Sequence, residues 1–532
     1  MLTLLTRVVA REWFPSARAQ RTPGAMPVAL FVNPIFFKFV PRRSRGRWWT
    51  GAGLALALAT ALPAHSEEPA LIPWPAKVAV QPGQVELPTG NALTVTAAAD
   101  SGFGPEAYRL DVSAAGVVIR ANDNAGAFYG GQTLRQLVAE SGATHRIPMM
   151  SIEDAPRYNW RGFMLDVSRH YFDKATLLRV LDWMADYKLN RLHLHLTDDP
   201  AWRLEVPAYP ELTEKGARGD FSDPKAPVRY FSRDDMRELV AAAALRHIVV
   251  VPEIDMPGHA SAATRTFPVL DGGANTFNVG NPETEKFLQK TLLQTMDLFP
   301  SPWIHFGGDE VNTAGWKTNA DVQARMRREG LARPAELENE FVREVSTFLH
   351  DHGRTAAGWD ETAAARPVPG TLIFWWRHDK PDALAAALAA GYPVVLCPRS
   401  PCYFDYPQDE KFPPLGRKLF NTLAAVYQGP LVPATVPAEQ RRQVQGVEGC
   451  LWTERVATVS YLEFMTLPRL AALAEMAWTP DPGRDFARFE TRLQPHLAEY
   501  RRQGLHVYDN SNPLISLRNA RGDRDGKGAA PN

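Results

Sequence analysis

Cysteine is nearly absent: Cys397, Cys402 and Cys450 are the three in 532 residues. Three thiols cannot make the disulfide framework of a small secreted scaffold, so a hydrophobic core must hold the fold. In an oxidising compartment Cys397 could pair with Cys402, leaving one thiol over. Net charge is missing too, with 59 Lys and Arg against 59 Asp and Glu. That balance excludes a polyanion-binding surface and removes nucleic acid as a partner. No internal repeat is present. Long apolar runs are also lacking. The candidate run, Gly51 to Leu62, is too short to span a bilayer comfortably.

What is present is ordinary in bulk and unusual in detail. Hydrophobic residues make up 45% and charged residues 22%, as in a folded soluble protein. The 14 tryptophans and 14 tyrosines stand out, because flat amphipathic rings suit the apolar faces of sugars, although most such rings are core. The first segment reads as an address. Arg42-Arg43-Ser44-Arg45-Gly46-Arg47 precedes the apolar run, and Ala64 and Ser66 offer small residues for processing. A basic region, a short apolar core and a small-residue site describe a secretory leader over 1–66. Met26 offers an alternative start, and a single anchoring helix is the competing reading. Export to the periplasm or medium, with no membrane span left after processing, is the expectation.

Residues 67–155 alternate short β-like runs with turns: Lys77–Val80, Leu93–Thr96, Tyr108–Val112 and Gly116–Arg120, then a helix over Ala125–Glu140. They predict a small α/β domain with an open sheet. From 156 to 505 the rhythm becomes strand then helix, repeated. Strands are expected at Arg161–Val167, Arg191–Leu196, Ile248–Ile254, Trp303–Phe306, Thr355–Gly358, Thr371–Trp375, Pro393–Leu396 and Val447–Leu451. Helices are expected at Lys174–Tyr187, Arg233–Leu245, Thr284–Leu298, Pro334–His350 and Tyr461–Trp478. The fold class is therefore α/β: a (β/α)8 TIM barrel preceded by the small open-sheet domain. A doubly wound sheet is the alternative, weakened because no Gly-rich phosphate turn follows the first strand. The tail 506–532 is polar and glycine-rich, which predicts partial disorder.

Barrel enzymes place reactive groups at the C-terminal ends of their strands. Those positions carry acids and aromatics almost throughout. Arg161 begins the first strand and Asp166 lies near its end. His193-Leu194-His195-Leu196-Thr197-Asp198-Asp199 ends the second, and Glu253-Ile254-Asp255-Met256-Pro257-Gly258-His259 the third. Trp303-Ile304-His305-Phe306-Gly307-Gly308-Asp309-Glu310 forms the fourth. Trp359-Asp360-Glu361, Trp375-Trp376, Cys402-Tyr403-Phe404-Asp405 and Trp452-Thr453-Glu454 complete the circuit. Asp309 and Glu310 are the most informative pair. Neighbouring side chains on extended backbone point to opposite sides, so the two acids can do different work.

These motifs resemble the family 20 glycoside hydrolases, the β-N-acetylhexosaminidases, over residues 67–505. Arg161 to Arg169, His193 to Asp199, Glu253 to His259 and His305 to Glu310 are the most specific segments. The resemblance implies an exo-acting, retaining enzyme that removes terminal β-linked GlcNAc, and GalNAc in some members, with no metal and no organic cofactor. In this family the substrate's own 2-acetamido group attacks the anomeric carbon. Glu310 then fits the proton donor and later base. Asp309 fits the group that orients the acetamido N–H, and Tyr403 the hydroxyl that meets the acetamido oxygen. Arg161 resembles the guanidinium that grips the 3- and 4-hydroxyls, with Asp198 as support for the pocket and that arginine. Glu454 resembles the acceptor of the 4- and 6-hydroxyls, and Asp405 the acid near the outer hydroxyls. Trp359, Trp376 and Trp452 resemble aromatic walls, and His259 and Glu253 resemble groups behind the pocket that tune Glu310.

Other expectations stay bland. Trp375 should be packing, His193 and His195 core or support, Asp166 either a buried ion-pair partner or a contact, and Asp360 with Glu361 either a solvated loop or part of the site. The stretch from Tyr406 to Val432 has Phe412, Phe420 and Tyr427 but no tryptophan, where many relatives carry one, and Cys402 precedes Tyr403 where some relatives have an aromatic. Both departures bear on the leaving-group side. The partner is an amino-sugar oligosaccharide or glycoconjugate, and chitin fragments, peptidoglycan-derived sugars and host glycans all fit. A competing enzyme reading joins His193, His195, Asp198 and Asp255 in a metal site, giving an amidohydrolase or deacetylase of amino sugars. A third is a glycan-binding barrel without catalysis.

Overall fold

The computed structural model describes residues 68–86, 95–100, 102–410, 419–430, 432–433 and 436–509. The leader-like segment, the tail 519–528, Leu93, Thr94 and Phe412 lie outside them. The described residues fall in one compact unit, His65–Asn532. Among them, no helix is long and apolar enough to cross a membrane.

Five strands form the first sheet: β1 (Lys77–Glu86), β2 (Val95–Ala99), β3 (Tyr108–Ser113), β4 (Gly116–Ala121) and β5 (Arg146–Asp154). Their order is β1-β5-β3-β4-β2. The fifth strand was not expected, yet Ile147, Met150, Ile152 and Asp154 are its buried residues. The helix Asn124–Ser141 lays Tyr129, Leu134 and Leu137 on this sheet, against Leu110, Val112, Val117 and Ile119. Asp123 caps it, accepting from the Gly126 amide.

The rest closes into a barrel. Its strands are β6 (Trp160–Asp166), β7 (Arg191–His195), β8 (Val249–Glu253), β11 (Trp303–His305), β12 (Thr355–Trp359), β13 (Leu372–Trp375), β14 (Val394–Leu396) and β15 (Val444–Leu451). A small hairpin, β9 (Asp271–Gly273) with β10 (Thr276–Phe277), sits in the loop after β8. The barrel runs β11-β12-β13-β14-β15-β6-β7-β8 and is closed, with parallel pairing throughout, which replaces the doubly wound alternative. All eight expected strands are present, shifted by a few residues at most.

Period-2 alternation sorts the side chains. Phe163, Leu165, Leu192, Leu194, Ile304, Ile373, Trp375 and Leu396 join the large core under the helices. Trp160, Met164, Val251, Trp359, Phe374 and Trp376 belong to the inner cluster. The neighbours Trp375 and Trp376 thus part ways, the first packing outward as expected. One helix differs. Tyr461–Trp478 is two helices, Val459–Thr466 and Arg469–Trp478, because Pro468 cannot continue the first.

Candidate active site

The loop after β11 builds the centre. Gly307 and Gly308 have φ of 69° and 87°, and each lacks room for a side chain. A Cβ on Gly307 would meet Asp255 Oδ1 at 1.7 Å, and one on Gly308 would meet Thr362 Cγ2 at 2.4 Å. The turn delivers Asp309 and Glu310 to unequal places. The Asp309 side chain is 12% exposed and that of Glu310 is 59% exposed. Glu310 holds φ +50° and His259 also φ +50°. For residues with a Cβ this left-handed backbone costs roughly 1–2 kcal/mol each, a strain that fixes both side chains toward the pocket.

His259 joins the two acids to the second strand. Its Nε2 lies 3.7 Å from Asp309 Oδ2 and 3.9 Å from Glu310 Oε2, while Nδ1 lies 3.3 Å from Asp198 Oδ1. Burial disfavours its charged form, but Asp198, Asp255 and Asp309 together outweigh that and hold the imidazole well above its ordinary range. Burial, with Glu361, Glu253 and Glu310 nearby, pushes Asp309 up to about 7 despite His259.

Asp198 is 1% exposed and acts through its neighbours. Its Oδ2 meets Arg169 at 2.6 Å and His195 Nε2 at 2.9 Å. Arg169 also faces Asp166 at 3.5 Å and lies over the Trp452 ring at 5.0 Å. Asp166 is a buried partner here: it accepts the Ser168 and Arg169 amides and, from the far side, the Thr453 amide.

Arg161 is not in the site, and this corrects the sequence expectation. It begins β6, so its side chain lies at the opposite end of the barrel from Asp309. There it is fully buried, bonded to Glu106 at 2.9 Å and 3.1 Å, to Tyr129 and to the carbonyls of Tyr158 and Lys188. Arg169, three residues past Asp166, is the guanidinium on the correct face. The strand-end rule that selected every other residue points to it.

An aromatic cluster lies at the same strand ends as the acids. Trp359, Trp376, Tyr403 and Trp452 share the inner cluster. Trp376 stacks on Tyr403 with ring centroids 6.4 Å apart at 13°, and Trp452 lies 6.0 Å from Tyr403 and 5.7 Å from Trp359. Trp376 donates to Glu361 at 2.9 Å, and Arg377 chelates Asp360 with both distances 3.1 Å. Asp360 and Glu361 therefore support a wall and are not a solvated loop. Burial, then Glu361, pushes Asp360 up to about 8. The same desolvation keeps the Tyr403 hydroxyl protonated, well above its usual value. Asp405 is buried two residues beyond Tyr403, and Glu454 is half-buried at the end of β15.

Glu253 organises the layer beneath. It accepts from His195 Nδ1 at 2.5 Å and Trp359 Nε1 at 2.9 Å, with His193 Nε2 at 3.2 Å and His305 Nδ1, which accepts the Gly307 amide, at 2.9 Å. Burial would raise its carboxyl, but the three imidazoles outweigh that and hold it well below the usual range. It touches Trp359 and not Glu310, so its tuning runs through the wall. Glu448, absent from the sequence expectations, continues the layer to His193 at 2.9 Å and Trp160 at 3.0 Å. Gly162 makes room for it, since a Cβ there would meet Glu448 Oε2 at 2.3 Å. His195 uses both ring nitrogens on Glu253 and Asp198, which leaves none for the competing metal reading. The three cysteines are buried, free thiols, so Cys397 and Cys402 are unpaired.

A sequence profile described as "Glycosyl hydrolase family 20, catalytic domain" matches residues 158–481, and "Glycosyl hydrolase family 20, domain 2" matches 91–155. A Beta-hexosaminidase of Porphyromonas gingivalis is 34% identical over 445 residues, covering 80% of this chain. The chain spans 57% of that relative's length. A Beta-N-acetylhexosaminidase of Cellulomonas fimi is 33% identical, covering 85% of this chain and 88% of its own. The solved exo β-N-acetylglucosaminidase of Vibrio harveyi, in complex with N-acetylglucosamine, superimposes with TM-score 0.77 at 28% identity. It covers 83% of this chain and 78% of its own.

Proposed function

This chain belongs to glycosyl hydrolase family 20, and from that premise we propose that it is an exo-acting, retaining β-N-acetylhexosaminidase working through the 2-acetamido group of its substrate. One observation carries the reading: two adjacent acids of opposite exposure, at the strand ends that also carry the Trp359, Trp376, Tyr403 and Trp452 cluster. A retaining enzyme with its own nucleophile needs a second carboxylate across the scissile bond. Here the second acid is the buried neighbour of the first, suited to hold an amide N–H.

In this reading the sugar's outer hydroxyls meet Arg169, Asp405 and Glu454, and the acetamido group enters among Trp359, Trp376 and Trp452. Asp309 accepts the amide N–H and Tyr403 donates to the amide oxygen, which aligns that oxygen with the anomeric carbon. Glu310, exposed toward the leaving group, protonates the glycosidic oxygen as the amide oxygen attacks. The oxazolinium-like intermediate carries positive charge beside Asp309. Glu310 then takes a proton from the water that opens it, and the β-anomer is released. The Asp198–His259 pair holds Glu310 and Asp309 in register. The enclosed Arg169–Asp198 pair supports removal of single terminal residues. Export fits the leader-like segment, and amino-sugar oligomers or glycoconjugates fit the walls.

The test varies the nucleophile. Chromogenic β-GlcNAc substrates whose N-acetyl group carries one, two or three fluorines should be cleaved progressively more slowly, and a β-glucoside not at all. NMR should find the β-anomer of the monosaccharide first. Rates indifferent to fluorination, or an α-anomer as first product, would sink the proposal.

A further inference from the structure

We propose that Asp255, His259 and Asp309 form a binding site for a divalent transition cation of the zinc class, and that a cation held there excludes the sugar. One donor atom from each residue lies within 4.8 Å of the other two. Asp255 is the decisive member. It is 2% exposed, and neither carboxylate oxygen is bonded to a protein group. A buried carboxylate without partners is costly, and native folds keep such groups where they serve something. The chain makes deliberate room for it, because only glycine at 307 avoids its Oδ1. Asp309 Oδ1 is likewise buried without a protein partner.

His259 completes the set. Its Nε2 faces Asp309 and its Nδ1 faces Asp198. A carboxylate behind an imidazole fixes the nitrogen that ligates and raises its basicity. One imidazole nitrogen and two carboxylate oxygens match the donor types of zinc sites.

The neighbouring groupings are less suited. His195, Asp198 and Asp255 share a locale, but His195 and Asp198 are engaged with Glu253 and Arg169. Asp199 holds Ser261 and Asn275. His193, Glu253 and His305 are 0% exposed, with no entry path for an ion. The exclusion of sugar rests on the proposed function, which gives Asp309 to the acetamido N–H.

The experiment uses the full chain and Co2+ as the visible probe, with Zn2+ as competitor. One equivalent of Co2+ should give d–d absorption that Zn2+ abolishes and that free GlcNAc weakens. Asp255→Asn should lower the affinity more than about ten-fold, the least expected where even outer partners of a ligand are worth that much. Asp309→Asn should lower it similarly, and Asp199→Asn should leave it unchanged, each variant checked by thermal unfolding. Absence of binding, equal affinity in Asp255→Asn, or loss confined to Asp199→Asn overturns the site. Binding indifferent to GlcNAc overturns the exclusion. The readout is absorbance, so an inactive protein that still binds Co2+ counts against the hydrolase reading alone.

Discussion

Arg169 and Asp198 meet at 2.6 Å, and both are enclosed: the side chains are 11% and 2% exposed. Their contact joins the loop after β6 to the loop after β7 and sets the guanidinium against Trp452.

Removing Arg169 therefore separates two effects. Arg169→Ala leaves Asp166 without its cation and Asp198 with only the imidazoles of His195 and His259, which costs about 3–5 kcal/mol for a broken buried pair. It should also cut kcat/KM by on the order of 1,000-fold, since a binding group and the anchor of Asp198 go together. Arg161→Met should lower the melting temperature and leave kcat and KM of the folded protein within about two-fold. Kinetics and melting curves on both variants check this. A selective rise in KM for Arg161→Met would return that residue to the substrate.

Glu310→Gln should abolish turnover of oligosaccharides and spare part of the rate on aryl glycosides, whose leaving groups need little protonation. A loss of about 100- to 10,000-fold is expected where the proton is needed. Equal losses on both substrate types would remove the acid role.

Asp309→Asn should inactivate the enzyme and yet stabilise it at high pH. Burial and the neighbouring carboxylates push the folded carboxyl up to about 7, from an ordinary value of 3.8. Between those values the folded state keeps a proton that the unfolded chain has lost, so folding becomes less favourable as pH rises through the window. The penalty is absent below about pH 4 and complete above about pH 7. The variant should melt a few degrees above the parent at pH 8 and level with it at pH 4. A constant offset across that range would remove Asp309 as its source.

Tyr403→Phe removes one hydroxyl from a buried stack. A loss of roughly 100- to 1,000-fold in kcat with little change in melting temperature is expected for a donor aimed at developing charge. Unchanged kcat would place the acetamido oxygen elsewhere.

The thiols offer a direct count. Cys397, Cys402 and Cys450 are buried and free, and burial holds each thiol up. A thiol-specific chromophore should find none in the native protein and three after denaturation without reductant. One thiol after denaturation would mean a disulfide.

The barrel was legible because eight short β-branched or aromatic runs and their helices repeat at regular spacing, and closure follows from that count. The strand-end rule put Trp359, Trp376, Tyr403 and Trp452 on one face, and they share one cluster there, while their roles came from the family resemblance. Arg161 went wrong because it shares a motif with Arg169 while lying on the other side of the strand's length. Glu448 carried no local signal, and Asp255 stood out only as one acid of the strand-end run from Glu253 to His259 and of the competing metal reading. Their meaning comes from partners hundreds of residues away, or from having none. The helix break at Pro468 was readable, and the apolar run around it hid it.

Beneath the barrel, Glu106 of the first sheet neutralises Arg161, and Asp154 holds both Lys188 at 3.0 Å and the Trp478 indole at 2.9 Å. Both cations are buried, and among the described residues no barrel residue offers a counter-ion to either. A chain trimmed to start at β6 would leave a guanidinium and an ammonium sealed in without an anion, an error of several kcal/mol apiece. The heritable module is therefore sheet and barrel together. Swapping the barrel into a new architecture means carrying along the sheet that discharges its floor.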